Sequence, residues 1–320
     1  MRARELFQKL GPFLGLVLVL AVFGLLIGPQ FFRPGNLELI ARQTSIVCVA
    51  ALGMTMIIVA AGIDLSAGSI IALSTVVIAM VLRDGHAPAL AALAGMLAGA
   101  LCGAITGALI TSLKVVPFIV TLGMMLLVRG AAKGLADERR IEAPETWLNG
   151  LLRTVRGADG GGALLPPGLW ITIALAIFVS IVLRYTRFGR HLFAIGSNER
   201  TARLCGVPVE RSKIAVYTLA SALVGLAGVM QFAKLSVGDP TVAIGLELDI
   251  IAAVIIGGGS LSGGKGTVSG TLLGAAIMAV IQVGCSQKGL PNWVQQIVTG
   301  TIIVLAVALD RWRERSAEIA

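Results

Sequence analysis

Charge is what this chain has least of. Only 13% of its residues are Asp, Glu, Lys or Arg, against 56% hydrophobic ones and a mean hydropathy of +0.91; soluble domains carry roughly twice that charge. A soluble core could not hide so much apolar surface, so a soluble globular fold is excluded and a polytopic membrane protein is expected. Tyrosine is scarce at two residues while glycine reaches 40, a balance that predicts a helical bundle packed through small residues rather than a β-barrel. The four cysteines (Cys48, Cys102, Cys205, Cys285) lie far apart without CxxC spacing. They argue against a metal site or a disulfide framework. The only histidines, His86 and His191, fall in a predicted turn and a polar loop, and neither begins a site. No His, Asp or Ser constellation at helical spacing suggests a membrane enzyme, and the near absence of charge within the runs argues against a secondary transporter. The net charge of +9 does not require nucleic acid, because membrane proteins keep Lys and Arg on their cytoplasmic loops.

What is present is a succession of apolar runs. A basic tail (Arg2, Arg4, Lys9) precedes a first run, Leu10 to Phe32, after which no signal-peptide cleavage site follows, so it is expected to stay as a helix. Further runs lie between Arg42 and Asp64, Asp64 and Arg83, His86 and Lys114, and from Val115 to Arg129 and Lys133. A mixed segment, Asp137 to Asp159 with Gly160–Gly162 and Pro166-Pro167 behind it, is the longest outside loop. A sixth run ends at Arg184, a seventh covers Ile214 to Ala233, an eighth is short (Ile250 to Gly264), a ninth starts at Gly266 and a tenth spans Leu290 to Leu309. The expected fold is therefore an all-α bundle of about ten transmembrane helices forming one domain. A first half covers about 1–135, an outside loop 136–165 and a second half 166–320. Ten spans place both termini on one side. The basic tails and the basic 184–213 stretch make that side the cytoplasm, although Arg139, Arg140, Arg153 and Arg156 on the outside loop argue the other way.

The polar stretch Arg184 to Lys213 contains end signals for a short helix. Ser197 or Asn198 offers an N-cap oxygen, Glu199 puts a carboxylate in the first turn, Gly206 suits a left-handed C-terminal position, and Pro208 blocks continuation. Glu199 and Arg203, four apart, can pair on the exposed face. So short a helix is not stable alone in water; it docks on something, or the stretch is an ordinary solvated loop. Two Gly-rich interruptions fall in opposite halves: Ala61 to Ser69, with Gly62, Asp64, Ser66 and Gly68, and Gly257 to Gly266, with Gly258, Ser260, Ser262 and Gly263. They read either as a transport pathway built from repeated units or as two tight turns. A phosphate-loop reading of the second fails on its ending, because Lys265 is followed by Gly266. Asp64 either fixes its turn or lines the pathway. Arg129 and Lys133 either snorkel to headgroups or serve the outer mouth. Glu247 and Asp249 either cap the eighth run or meet a partner's basic patch. Gly270, Gly274 and Ala275 imply close helix packing and are candidates for a subunit seam.

ALGMTMIIVAAGIDLSAGSIIALS (51–74), VVPFIVTLGMMLLVRG (115–130), TRFGRHLFAIGSNERTARLCGV (186–207) and ELDIIAAVIIGGGSLSGGKGTVSGTLLGA (247–275) together resemble the permease subunits of ribose- and other monosaccharide-type ABC importers. The GIDLSAGS stretch favours the sugar type over the related branched-chain amino-acid permeases. The resemblance implies cytoplasmic termini in a bacterial inner membrane, and no catalytic site or bound cofactor of its own. ATP and Mg would sit on a separate cytoplasmic ATPase. It also implies a second permease copy, identical or not, and a periplasmic or extracellular sugar-binding protein. It places the coupling helix that meets the ATPase on Ser197, Asn198, Glu199, Arg200, Ala202, Arg203, Leu204 and Gly206. There this chain has Glu199-Arg200-Thr201 where such permeases commonly have Glu-Ala-Ala. The Gly-rich interruptions make Gly62, Asp64, Ser66, Gly68, Gly257, Gly258, Ser260, Ser262 and Gly263 the candidates for the translocation breaks. The outer mouth or binding-protein contact is expected at Arg129, Glu247 and Asp249.

Overall fold

The structure, a computed structural model, describes the backbone of residues 2–153, 155–156, 163–164 and 166–318, and the side chains of 11–153 and 166–308. The basic side chains of both tails, that of Arg156, and the Gly160–Gly162 segment lie outside the described residues.

Each apolar run folds into a helix, because backbone groups in an apolar layer must be satisfied within the segment. The helices in chain order are α1 (Arg2–Ile27), α2 (Pro34–Val59), α3 (Ala67–Arg83), α4 (Pro88–Leu113), α5 (Pro117–Leu135) and α6 (Pro167–Tyr185). They continue with α7 (Arg187–Ser197), α8 (Glu199–Leu204), α9 (Val209–Leu235), α10 (Leu246–Ile256), α11 (Val268–Gln287) and α12 (Asn292–Glu318). Four of them begin with proline (Pro34, Pro88, Pro117, Pro167), where the missing N–H costs nothing and the fixed φ suits the first turn. Six helices (α2, α4, α5, α6, α9, α11) are long and apolar enough to cross a membrane, and the apolar parts of α1, α3 and α12 are shorter. The protein is thus an all-helical, multi-pass membrane protein.

Two packing layers are distinct. The most apolar window of α2 is 83% buried while that of α5 is 22% buried. The α2, α9 and α11 helices form the centre, and α4, α5 and α6 turn Leu101, Leu126, Leu127 and Ile177 outward, as lipid-facing helices do. Helices α2 and α9 run antiparallel through the middle, since Gln43 meets Lys234, Gly53 abuts Ala220 and Gly62 abuts Tyr217. The packing repeats about this pair. Helix α4 lies on α9 as α11 lies on α2; α3 packs on α4, α5 and α9 as α10 packs on α11, α12 and α2. The units 34–135 and 209–318 are therefore inverted counterparts. In this repeat the 60–66 interruption corresponds to Ser236–Gly245, and Gly257–Gly266 corresponds to the α3–α4 turn. The two Gly-rich stretches expected to be paired are not equivalent.

Small two-stranded ladders, β1 (Ile141–Glu142) with β4 (Val237–Gly238) and β2 (Val155–Arg156) with β3 (Ala163–Leu164), are antiparallel. The first ties the loop after α5 to the one after α9. Arg140 donates to Asp239 at 2.9 Å, Asn149 donates to Ser236 at 2.8 Å, and Thr75 receives the Asp239 N–H at 3.2 Å.

Candidate functional site

The polar 184–213 stretch is helical over most of its length, which its composition had disguised. Helix α7 begins as soon as α6 ends. The Thr186 hydroxyl accepts the Gly189 N–H at 3.1 Å, and a side chain at Gly189 would overlap the Val182 and Leu183 carbonyls. The resulting corner is tight, and only glycine fits it. Ser197 closes α7 rather than capping the next helix; Asn198 is the cap of α8, its carbonyl oxygen accepting from Thr201 N at 2.9 Å. Gly206 has φ +80°, the left-handed stop expected of it.

Helix α8 is held from below. Ala202 is buried with Ile195 and Val209. The Glu199–Arg203 pair forms at 3.5 Å, but both side chains also reach α9, Glu199 accepting from Lys213 at 2.7 Å and Arg203 pairing with Glu210. A recess of about 410 Å³ between this charge cluster and the α4–α5 turn (Lys114–Pro117) completes the seat. Arg200 and Leu204 are left exposed on the outer face, Leu204 at 88%.

The N-terminal end of α8 adjoins the end of α2 and the Gly257–Gly266 break. A Cβ at Gly196 would overlap the Val59 carbonyl, and one at Gly263 would lie 2.6 Å from the Ala61 Cβ and 2.7 Å from the Gly196 oxygen. The Gly264 N–H donates to the Val59 carbonyl at 2.9 Å. The end of α7, the end of α2 and the Gly257–Gly266 break therefore touch through bare backbone. Within that break Ser260, buried, donates its N–H to the Lys265 carbonyl at 3.2 Å and receives the Ser262 N–H at 3.3 Å, while Gly258 has φ +90° with open space around it. Gly257 packs on Gly270, and Gly274 on Ala253. The small residues of α11 thus seat α10 within one chain, and the subunit-seam reading of Gly270 and Gly274 is replaced by this contact.

The first break carries the chain into the bundle. Asp64 is buried and its Oδ1 accepts the Ser66 N–H at 2.8 Å and the Ser66 hydroxyl at 2.5 Å. This is turn-fixing geometry. Gly62 sits against Tyr217, where an added Cβ would lie 2.6 Å from the hydroxyl, and Tyr217 in turn donates to the Ile63 carbonyl at 3.3 Å.

Helix α10 has 11 residues, a rise of about 16 Å against a hydrocarbon core of about 30 Å. It is a half-helix, and its start meets the start of α3: the Gly68 position lies against the Glu247 carboxylate and the Ala243 carbonyl. Glu247 Oε1 accepts the Gly245 N–H at 3.2 Å, a cap-like contact, while Oε2 is buried without a hydrogen-bond partner among the described residues, as is the Ser69 hydroxyl. Asp249 does not cap; it accepts from Gln282 on α11, which bonds Gln43 on α2 at 2.9 Å, and Gln43 accepts from Lys234 on α9 at 2.7 Å. Arg129 is turned inward rather than snorkelling, its guanidinium donating to the Pro240 and Val242 carbonyls at 3.0 and 2.7 Å. The sequence reading did not single out Gly196, Gln43, Gln282 or the Ser236–Gly245 segment. Only Asp239-Pro240 and Gly245 hinted at an interruption there.

Interrupted helices that meet inside an apolar bundle, with a docked polar helix at one end, are the architecture of a membrane transport protein. The family described as "Branched-chain amino acid transport system / permease component" matches residues 36–307, and the chain belongs to that family. Among curated proteins, the ribose import permease protein RbsC of Bacillus subtilis (strain 168) is 41% identical over 95% of this chain and 93% of its own length. The Escherichia coli (strain K12) ribose import permease protein RbsC is 38% identical over 93% and 92%, and the fructose import permease protein FrcC of Rhizobium meliloti 36% over 96% and 86%. No solved structure matches the chain.

Proposed function

We propose that this chain is the membrane subunit of a binding-protein-dependent ABC importer for a monosaccharide. The observation that carries the reading is the backbone contact of α7 with the end of α2 and the Gly257–Gly266 break, one residue from the cap of α8. A push on α8 has no soft element to absorb it before it reaches the interrupted helices. Helix α8 would be the coupling element, offering Arg200, Leu204 and the exposed edge of the Glu199–Arg203 pair to a cytoplasmic ATPase that holds ATP and Mg. The relatives named for ribose and fructose support a sugar over a branched-chain amino acid.

The remaining parts follow as one scheme. Ten helices (α1 to α6 and α9 to α12) cross a bacterial inner membrane, both termini are cytoplasmic, and α3 and α10 cross only with the extended segments that precede or follow them. A second copy completes the path, and a sugar-binding protein docks on the loops around Asp239. Solute hydroxyls pass where α3 and α10 meet, because the unpartnered Glu247 Oε2 and Ser69 hydroxyl are costly in an apolar setting and suit a hydroxylated solute or water. ATP-dependent uptake of labelled ribose, fructose and arabinose by vesicles holding the permease, its ATPase and its binding protein tests the reading. Uptake of one pentose or hexose is expected. Uptake of leucine or valine with none of any sugar overturns it.

A further inference from the structure

A groove of about 890 Å³ opens on the lipid-facing side where α6, α7 and the start of α11 converge. One wall is an apolar stripe on α6, Ile173, Ile177 and Ile181, which are 41, 57 and 48% exposed and four residues apart. The opposite wall is Phe193, Val268 and Leu272. At the end nearest α7 the lining changes to Arg184 and Arg190, with the exposed Thr267 and Ser269 beside them. Both arginines gather at Tyr185: the Arg184 guanidinium stands 5.6 Å from its ring centroid, and Arg190 donates to its carbonyl at 3.4 Å. Neither makes an ion pair among the described residues, and no carboxylate lines the groove. That contrasts with Glu199 and Arg203 on α8, a few residues on, which pair with each other and with α9.

We propose that this groove holds one anionic phospholipid from the leaflet on the α7–α8 side. Its phosphate sits on Arg184 and Arg190, and one acyl chain lies along Ile173, Ile177 and Ile181. Three features select this occupant. The unpaired guanidiniums ask for an anion with phosphate or carboxylate geometry. The apolar wall, more than two turns of α6 in length, asks for a hydrocarbon chain that a soluble anion lacks. A second copy seated on this surface about a two-fold axis would bring four guanidiniums together with no carboxylate in the groove to offset them. The lipid would brace α7 at the corner set by Gly189, just before α8. The binding claim itself does not depend on α8 being a coupling element.

The test uses the full-length permease in nanodiscs of equal phosphatidylcholine and phosphatidylglycerol, with retained lipid counted by native mass spectrometry after release. One phosphatidylglycerol is expected to be retained in preference to phosphatidylcholine. The Arg184→Gln, Arg190→Gln double variant should lower that preference about thirtyfold, from about fivefold per basic residue at a membrane surface. An Arg139→Gln, Arg140→Gln variant, altered in the loop after α5, should keep it. Equal retention of the two lipids by the unaltered protein overturns the proposal, as does a double variant that retains phosphatidylglycerol undiminished. So does efficient disulfide cross-linking of Ile177→Cys between two copies, which would show the groove covered by protein.

Discussion

Three glycines show that one residue type has separate roles here. Gly274 and Gly270 are excluded from carrying a side chain by backbone oxygens of Ala253 and Gly257, whereas Gly206 has open space and only its positive φ, +80°, restricts it. Alanine at Gly206 should therefore cost about 1 kcal/mol through left-handed strain, with asparagine costing less. Alanine at Gly274 must move α10 away from α11, at about 1–3 kcal/mol or more. Thermal unfolding of the purified permease orders the variants, and a Gly206→Ala protein less stable than Gly274→Ala would refute the account. Gly62 and Gly258 divide the same way. Valine at Gly62 collides with Tyr217 and Ile57, while at Gly258 it meets only an unfavourable φ of +90°. Uptake should be lost with Gly62→Ala and retained with Gly258→Asn.

Asp239 gives a pH dependence at the same scale. Burial raises its pKa, but hydrogen bonds from Thr241 and the Arg140 charge more than offset this and leave it below the ordinary 3.8. A depressed carboxylate contributes stability that is present above the unfolded value and lost as pH falls through the folded one. The clasp between the loops after α5 and α9 should hold at neutral pH and loosen only below about pH 4. Arg140→Gln should shift that loosening to higher pH. Hydrogen exchange of the 236–245 amides against pH reads both, and unchanged midpoints would remove Asp239 from the clasp.

Helix α8 has six residues, too few to persist unaided, so its position depends on Ala202 beneath it and on its ties to α9. The charges are largely exposed, and pairs of that kind add little stability. A Glu199→Lys, Arg203→Glu double variant keeps the pair within α8 but turns both ties to α9 into like-charge contacts, so it should loosen α8 locally with little change in melting temperature while reducing ATPase retention and stimulation by liganded binding protein. Full retention and full stimulation in this variant and in Gly206→Val would show that α8 does not couple. Arg129 makes the opposite case, since its two bonds close the Ser236–Gly245 segment onto α5 inside the bundle. Arg129→Met should cost about 2–3 kcal/mol, because two carbonyls lose a charged donor, and it should lower uptake.

At the scale of the whole molecule, the native cysteines make sidedness testable without engineering the loop. Cys205 is exposed just past α8, while Cys48, Cys102 and Cys285 are buried. An impermeant maleimide should leave Cys205 unlabelled in intact cells and label it after permeabilisation. Cysteine at the exposed Glu145 should label in intact cells. Asn149 would be a poor reporter, being buried and bonded to Ser236. Labelling of Cys205 in intact cells invalidates the proposed orientation.

The sequence by itself determined the multi-pass membrane class, the helical nature of its apolar runs and the ends of α8, because hydrophobic run length, helix capping and left-handed stops are local properties readable within a few residues; of the ten spans expected, six helices are long and apolar enough to cross a membrane. The four helix-initiating prolines belong to the same category. Helix α7 was hidden because an amphipathic helix rich in Arg and Gly has the composition of a loop. Only the tertiary structure decided which interruptions correspond, since the pairing of 60–66 with 236–245 rests on how α2 and α9 cross and leaves no shared motif. It also turned Arg129 inward, gave Asp64 to its own turn, and joined Asp249, Gln282, Gln43 and Lys234 across four helices. A side chain's partner is fixed by which helix face lies opposite it, and that depends on residues hundreds of positions away, such as the 239 separating Gln43 from Gln282.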